Sequence, residues 1–170
     1  QEMGTKPEDI DIVVNTHLHF DHCGQNYLFR KAEFIVQREE YKCAFDPFSG
    51  QHWAYANPIA FPNEMPPFWG TDFKFIEGDV EITKGVKCIT LPGHTLGLQG
   101  VLVETDRGNF LIGGDHFVCY ENWENRIPTG YLMDPIAWYR SWDKVKALGA
   151  QVIAHHDKRN FEENKFPVWG

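Results

Sequence analysis

The segment His17-Leu18-His19-Phe20-Asp21-His22 decides how this chain is read. Four potential metal ligands fall within six residues, in the pattern HxHxDH. Imidazole and carboxylate together suit zinc and similar first-row metals. In extended backbone, side chains two residues apart share a face, so His17, His19 and Asp21 are expected to point one way. His22 then points elsewhere unless the chain turns, and Gly24 is placed to permit a turn. One short segment could thereby serve two adjacent metals. Apolar runs frame it, Ile12-Val13-Val14 before and Tyr27-Leu28-Phe29 after. A polar cluster this dense inside such a frame destabilises a fold unless something binds it.

Working outward, the length of 170 residues predicts one domain over 1–170 with a sizeable core. The net charge of −8, with no basic run, weighs against a nucleic-acid partner, and two divalent cations would offset half of it. Cys23, Cys43, Cys88 and Cys119 are far apart and form no CxxC pair. They favour a reducing compartment, so a cytoplasmic location is expected. No stretch is long and apolar enough to span a membrane, and no membrane partner is expected.

The pattern of elements is α/β. Lys6 to Ile10 reads as a helical or turn lead-in and Ile12 to Asn15 as a β-branched strand. Gln25 to Arg30 suits one or two helical turns, Ala32 to Gln37 a strand, and Arg38 to Phe45 a short helix. Asp46 to Phe75 holds five prolines (Pro47, Pro58, Pro62, Pro66, Pro67) among Phe, Trp and Tyr, with no clean period. Such a segment is expected to be a functional loop or a packed insertion. Strands follow at Val80 to Ile82 and Val86 to Leu91. A hairpin from Val101 to Ile112 turns around Asp106-Arg107-Gly108-Asn109. Asp134-Pro135 opens a helix that carries Trp138, Trp142, Val145 and Leu148 at helical spacing and stops at Gly149. Gln151 to Ala154 is a last buried strand. Strands alternating with helices predict packed α/β layers.

Three later polar positions share one context, each after a strand and beside a turn. His94 lies in Pro92-Gly93-His94-Thr95-Leu96-Gly97, Asp115 in Gly113-Gly114-Asp115, and His155-His156 precede Asp157. Side chains at strand ends converge where a sheet meets its loops. With the first cluster they supply enough ligands for two metals, a bridging carboxylate and an open position.

HLHFDHCG, then PGHTLG, then GGD, then His-Asp near the C-terminus, resembles the metallo-β-lactamase superfamily in strict order. The wording is most similar to the N-acyl-homoserine-lactone lactonase and 4-pyridoxolactonase branch, from Pro7 to Asp157. The resemblance implies an αββα sandwich of two ββα halves. It places His17, His19 and His94 on a first metal, Asp21, His22 and His156 on a second, and Asp115 between them. His156 is preferred over His155 because the family's last ligand directly precedes an Asp. The implied cofactors are two divalent ions, zinc first. The implied reaction is opening of a lactone ring by a metal-bridging hydroxide, with Asp21 orienting the hydroxide. Lactonases of this kind often carry a Tyr three residues after the bridging Asp; here Val118 stands there. Tyr120 and His116 are therefore carried as substitute catalytic donors. Phe20, Trp53, Trp69 and Phe117 are candidate pocket liners, and His52 is expected to face solvent. The family also places its first ligand motif deeper in the chain than residue 17. The reading therefore expects missing opening strands and poor stability for these 170 residues alone.

A small-molecule lactone is the expected partner, with a homodimer allowed. A thioester hydrolase of the glyoxalase II type would use nearly the same ligands, but calls for a basic cluster. Only Lys158, Arg159 and Lys165 stand near the C-terminus. A persulfide dioxygenase would keep the HxHxDH frame with a single iron. The usual Cys in place of Asp115 separates the β-lactamases, and His19 separates the flavodiiron proteins.

Overall fold

The computed structural model of the chain describes residues 4–56 and 65–161. Pro58, Pro62 and Lys165 lie outside the described residues. Two compact units are present, Gln1–Gly78 and Asp79–Gly170.

The first unit is built on a parallel sheet of β1 (Ile12–Val14), β2 (Glu33–Gln37) and β3 (Phe73–Ile76), in that order. Val13 stands opposite Phe34, and Phe34 opposite Phe73. Four of the five residues of β2 are buried, as expected of a central parallel strand covered on both faces. The strand runs directly into α2 (Arg38–Phe45), with the predicted bounds. Glu40 and Ala44, four residues apart, form the buried face of α2. A short α3 (His52–Ala56) follows. Leu18, Cys23, Phe34, Val36, Ala44, Tyr55, Phe68 and Phe73 form the core, and Tyr41 packs edge-on against Phe73 and Phe75 at 5.9 and 5.0 Å. The Pro- and aromatic-rich segment shows no clean period in the sequence. In the structure it holds α3 and ends in the first residues of β3. Four residues are too short a run to show a period of two against so many neighbouring aromatics.

The second unit holds a five-stranded sheet in sequential order: β4 (Val80–Thr83), β5 (Val86–Thr90), β6 (Gln99–Thr105), β7 (Gly108–Ile112) and β8 (Gln151–Ile153). β4 to β7 pair antiparallel, with Thr105 opposite Gly108 across a two-residue turn. β8 lies parallel to β7, because the chain returns through α5 (Pro135–Leu148). The ends of α5 are as predicted. Asp134 accepts a hydrogen bond from the Ala137 N–H at 2.9 Å, Pro135 opens the first turn, and Gly149 closes it at φ +64°. Its Trp138, Trp142 and Val145 are buried with Leu91, Leu98, Leu111, Phe117 and Val152. Asp79 ties the sheet to α5, accepting from the Thr90 N–H and from Lys144 Nζ at 2.9 and 2.7 Å. A further short helix, α4 (Tyr120–Glu124), was not anticipated.

One glycine fixes the approach of loop to helix. Gly93 has φ +148°, and a Cβ there would lie 2.7 Å from both Cα and Cβ of Trp138. Its carbonyl accepts from the Met133 and Asp134 N–H groups at 2.8 and 3.0 Å. The loop after β5 is thereby pressed onto the start of α5, and His94 is its next residue.

Candidate metal centre

In the first unit the HxHxDH segment follows β1 and turns into a helix within the motif. His19 is the N-cap of α1 (Phe20–Cys23), with φ −61° and ψ 149°. The turn comes ahead of Gly24, whose φ of −60° is ordinary helical backbone. The expected extended segment is therefore corrected: helix begins inside the motif. That turn brings His22 back, so that its ring centroid lies 4.0 Å from that of His17. His17 Nε2 and His19 Nδ1 are 3.1 Å apart, and Asp21 Oδ2 lies 3.4 Å from His22 Nε2. The His17 ring is also fixed from behind, its Nδ1 lying 3.2 Å from Thr16 Oγ1. His17 and His19 are buried, whereas the Asp21 side chain is 42% exposed.

Sequence reasoning missed the groups that hold this segment. Glu40 is fully buried and accepts from the Leu18 N–H at 2.9 Å and from the Tyr55 hydroxyl at 3.1 Å. Asn15 donates to the His22 carbonyl at 3.1 Å and exchanges amide hydrogen bonds with Asn26 at 3.2 and 3.1 Å. Cys23 Sγ donates to the carbonyls of Leu18 and His19, and burial, with Glu40 and Asp21 nearby, pushes its thiol up to about 12. These partners meet only on folding, and no local pattern marks them.

The second unit assembles two imidazoles around Asp115, which follows β7 in a 3-10 turn. Asp115 Oδ1 lies 3.2 Å from His156 Nε2, and Oδ2 lies 3.6 Å from His94 Nε2. Each carboxylate oxygen thus faces its own imidazole. His94 Nδ1 sits 2.6 Å from the Tyr131 carbonyl, which can only accept. The proton of a neutral His94 ring therefore belongs on Nδ1, and Nε2 carries the lone pair. His155 and His156 are held by N–H bonds to the Phe117 and Val118 carbonyls, both 2.9 Å, and their rings stack at 5.1 Å. Asp157 accepts from the Tyr120 N–H and from the Arg159 guanidinium, which keeps its carboxyl well below the usual range.

The remaining predicted residues have other surroundings. His116 is fully buried, stacked on Trp138 at 4.9 Å and 16°, with its carbonyl accepting from Trp138 Nε1. Neither ring nitrogen makes a hydrogen bond of normal geometry, and burial holds its pKa down to about 3, with the Leu91 backbone offsetting only part of this. That is a neutral ring in a packing position. Tyr120 is buried as well; its hydroxyl donates to Asn160 Oδ1 at 2.8 Å, and Arg159 lies over its ring at 4.6 Å. Among the expected liners, Phe117 belongs to the core, Phe20 lies 6.4 Å from Trp53, and Trp53 and Trp69 are 53% and 50% exposed. His52 is exposed.

The donor chemistry of both groups of residues fits divalent cations. Imidazole nitrogens 3.1 Å apart, and a carboxylate flanked by two imidazoles, are the nitrogen and oxygen donors that divalent first-row metal ions take. No helix among the described residues is long and apolar enough to cross a membrane.

Comparison with known proteins agrees with this chemistry. A family model described as the metallo-beta-lactamase superfamily matches residues 1–156. An N-acyl homoserine lactonase from a Bacillus species is 38% identical over 130 residues, covering 75% of this chain and 47% of its own length. The N-acyl homoserine lactonase AttM of Azorhizobium caulinodans is 31% identical over 166 residues, covering 91% of this chain and 61% of its own. A solved N-acyl homoserine lactone hydrolase, with the product N-hexanoyl-L-homoserine at its catalytic metal centre, matches 98% of this chain and 62% of its own. The TM-score is 0.76 at 30% identity. The chain thus spans about half to three fifths of the length of these relatives. With its ligand motif, its strand-end donors and the family match over residues 1–156, the chain belongs to the metallo-β-lactamase superfamily, of mixed α/β fold.

Proposed function

We propose that this protein is a dinuclear metal-dependent hydrolase that opens the ring of an N-acyl homoserine lactone or a similar lactone. The observation that carries the reading is Asp115, whose two oxygens each face a separate imidazole, in a chain whose relatives are N-acyl homoserine lactonases. In this reading His17, His19 and His94 hold one ion, Asp21, His22 and His156 hold the other, and Asp115 is shared. The imidazole-rich donor set favours zinc. Ions held there supply Lewis acidity and lower the pKa of a water molecule from about 15.7 toward about 7.

The residues of the chain do the rest. The Tyr131 carbonyl keeps the His94 proton on Nδ1, so that Nε2 remains a donor atom. Asp21, the exposed carboxylate of the motif, orients the attacking water and accepts its proton. Water adds to the lactone carbonyl carbon, the ring C–O bond breaks, and the leaving oxygen takes up a proton to give a hydroxy acid. Trp53 and Trp69, half exposed, offer apolar surface for the acyl portion. Cys23, Cys43, Cys88 and Cys119 are thiols rather than disulfides, which supports a cytoplasmic location.

The test is acid release on ring opening of N-hexanoyl homoserine lactone, before and after metal removal. Turnover that disappears with a chelator and returns with zinc supports the reading. Turnover indifferent to chelation, or none in the metal-loaded protein, contradicts it.

A further inference from the structure

We infer that Glu40 is a positioning residue for the metal-binding segment: its buried carboxylate locks the peptide between His17 and His19 and sets the Tyr55 ring against His19. The inference rests on the reading that this segment binds metal.

Glu40 lies at the start of α2 and is 0% exposed. A carboxylate in that position is expensive unless donors hold it. Two of the donors that hold it belong to the surroundings of the motif. The Leu18 N–H reaches Glu40 Oε1 at 2.9 Å, and the Tyr55 hydroxyl reaches the same oxygen at 3.1 Å. Leu18 is the residue between two ligands, so its peptide plane sets the directions in which His17 and His19 leave the backbone. The carbonyl of the same residue accepts from Cys23 Sγ at 3.4 Å, so Leu18 is held on both its peptide groups. Tyr55 meets the His19 ring edge-on, centroids 4.7 Å apart at 68°. One oxygen therefore reaches His19 by two routes, through the backbone and through the Tyr55 ring.

Because both donors share Oε1, the amide oxygen of a glutamine can accept both bonds, whereas alanine can accept neither. A role in hydrogen bonding is thereby separable from one in charge. Groups that orient metal ligands typically change metal affinity by about 10–100-fold when removed.

The experiment titrates the metal-free protein with cobalt(II), following affinity and the visible spectrum. The variants are Glu40→Gln, Glu40→Ala and Tyr55→Phe, each with its unfolding curve in the absence of metal. Glu40→Ala should weaken cobalt binding at least about 10-fold and alter the spectrum. Tyr55→Phe should weaken it by a smaller factor, about 3-fold or more, and Glu40→Gln should stay within about 3-fold of the parent. If Glu40→Ala does not fold, Tyr55→Phe against Glu40→Gln decides. Parental affinity and spectrum in Tyr55→Phe, or in a folded Glu40→Ala, would overturn the inference. Failure of the parent to bind cobalt at all would instead sink the metal-site reading on which it rests.

Discussion

Substituting Gly93 by alanine tests how tightly the His94 loop is fitted to its helix. The added methyl would stand 2.7 Å from the Trp138 Cα and Cβ and 3.0 Å from its nitrogen, at a φ of +148°. The atoms it meets are mostly backbone, anchored by a Trp138 side chain that is 0% exposed, so they cannot simply swing aside. Two effects therefore add. A non-glycine residue in that backbone region costs about 1–3 kcal/mol. Forcing an extra carbon into close packing costs about 1–3 kcal/mol more. Their sum, about 2–6 kcal/mol, should lower the melting temperature by roughly 4–24 °C in a chain of this size. Denaturant unfolding followed by circular dichroism reads the loss directly. Gly130→Ala is the control, because a Cβ there meets nothing within 4 Å and φ is not in the left-handed region. If Gly93→Ala unfolds within about 1 kcal/mol of the parent while remaining native, the tight seam between loop and α5 is refuted.

Two further outcomes follow from the same unit. His116→Leu should leave stability unchanged or raise it by about 1 kcal/mol, because leucine removes two poorly satisfied buried nitrogens at the expense of one ring stack; a loss above about 2 kcal/mol in urea unfolding would mean those nitrogens are satisfied. Asp79 has a lowered pKa: burial pushes it up, but Lys144 and Thr90 outweigh that. Its contribution is therefore complete above its unfolded value of about 3.9 and lost as pH falls through the lower folded one. The stability gap between the parent and Asp79→Asn should shrink on acidification from about pH 6 to pH 3, and a gap constant with pH would contradict the pairing with Lys144.

The HxHxDH segment was legible as a candidate site because its His and Asp residues are contiguous and lie beside a strongly β-branched strand. His94, Asp115 and His156 were legible as strand-end residues in order, once the first cluster gave them a purpose. The backbone path through the motif was not. Extended geometry was the simplest assumption for HxHxDH, but His19 caps a helix, and helical winding returns His22 to His17. Glu40 was hidden for another reason. Its position in REEYKCAF reads as one more surface acid, and only the fold of the first unit sets it against Leu18 and Tyr55. The reverse holds for His116, which adjoins Asp115 in sequence while its ring turns onto Trp138 in the core. The ends of α5 were readable because caps are local: Asp134, Pro135 and Gly149 act within one turn of themselves.

The central claim is a pair of metal ions serving lactone hydrolysis. The most direct test is elemental analysis of the purified protein, paired on the same sample with a ring-opening assay on homoserine and aromatic lactones. The account predicts about two zinc-like ions per chain, through the shared Asp115, and lactone turnover in proportion to metal content. A single iron per chain with no lactone turnover would contradict it and point to oxygen chemistry on the same frame.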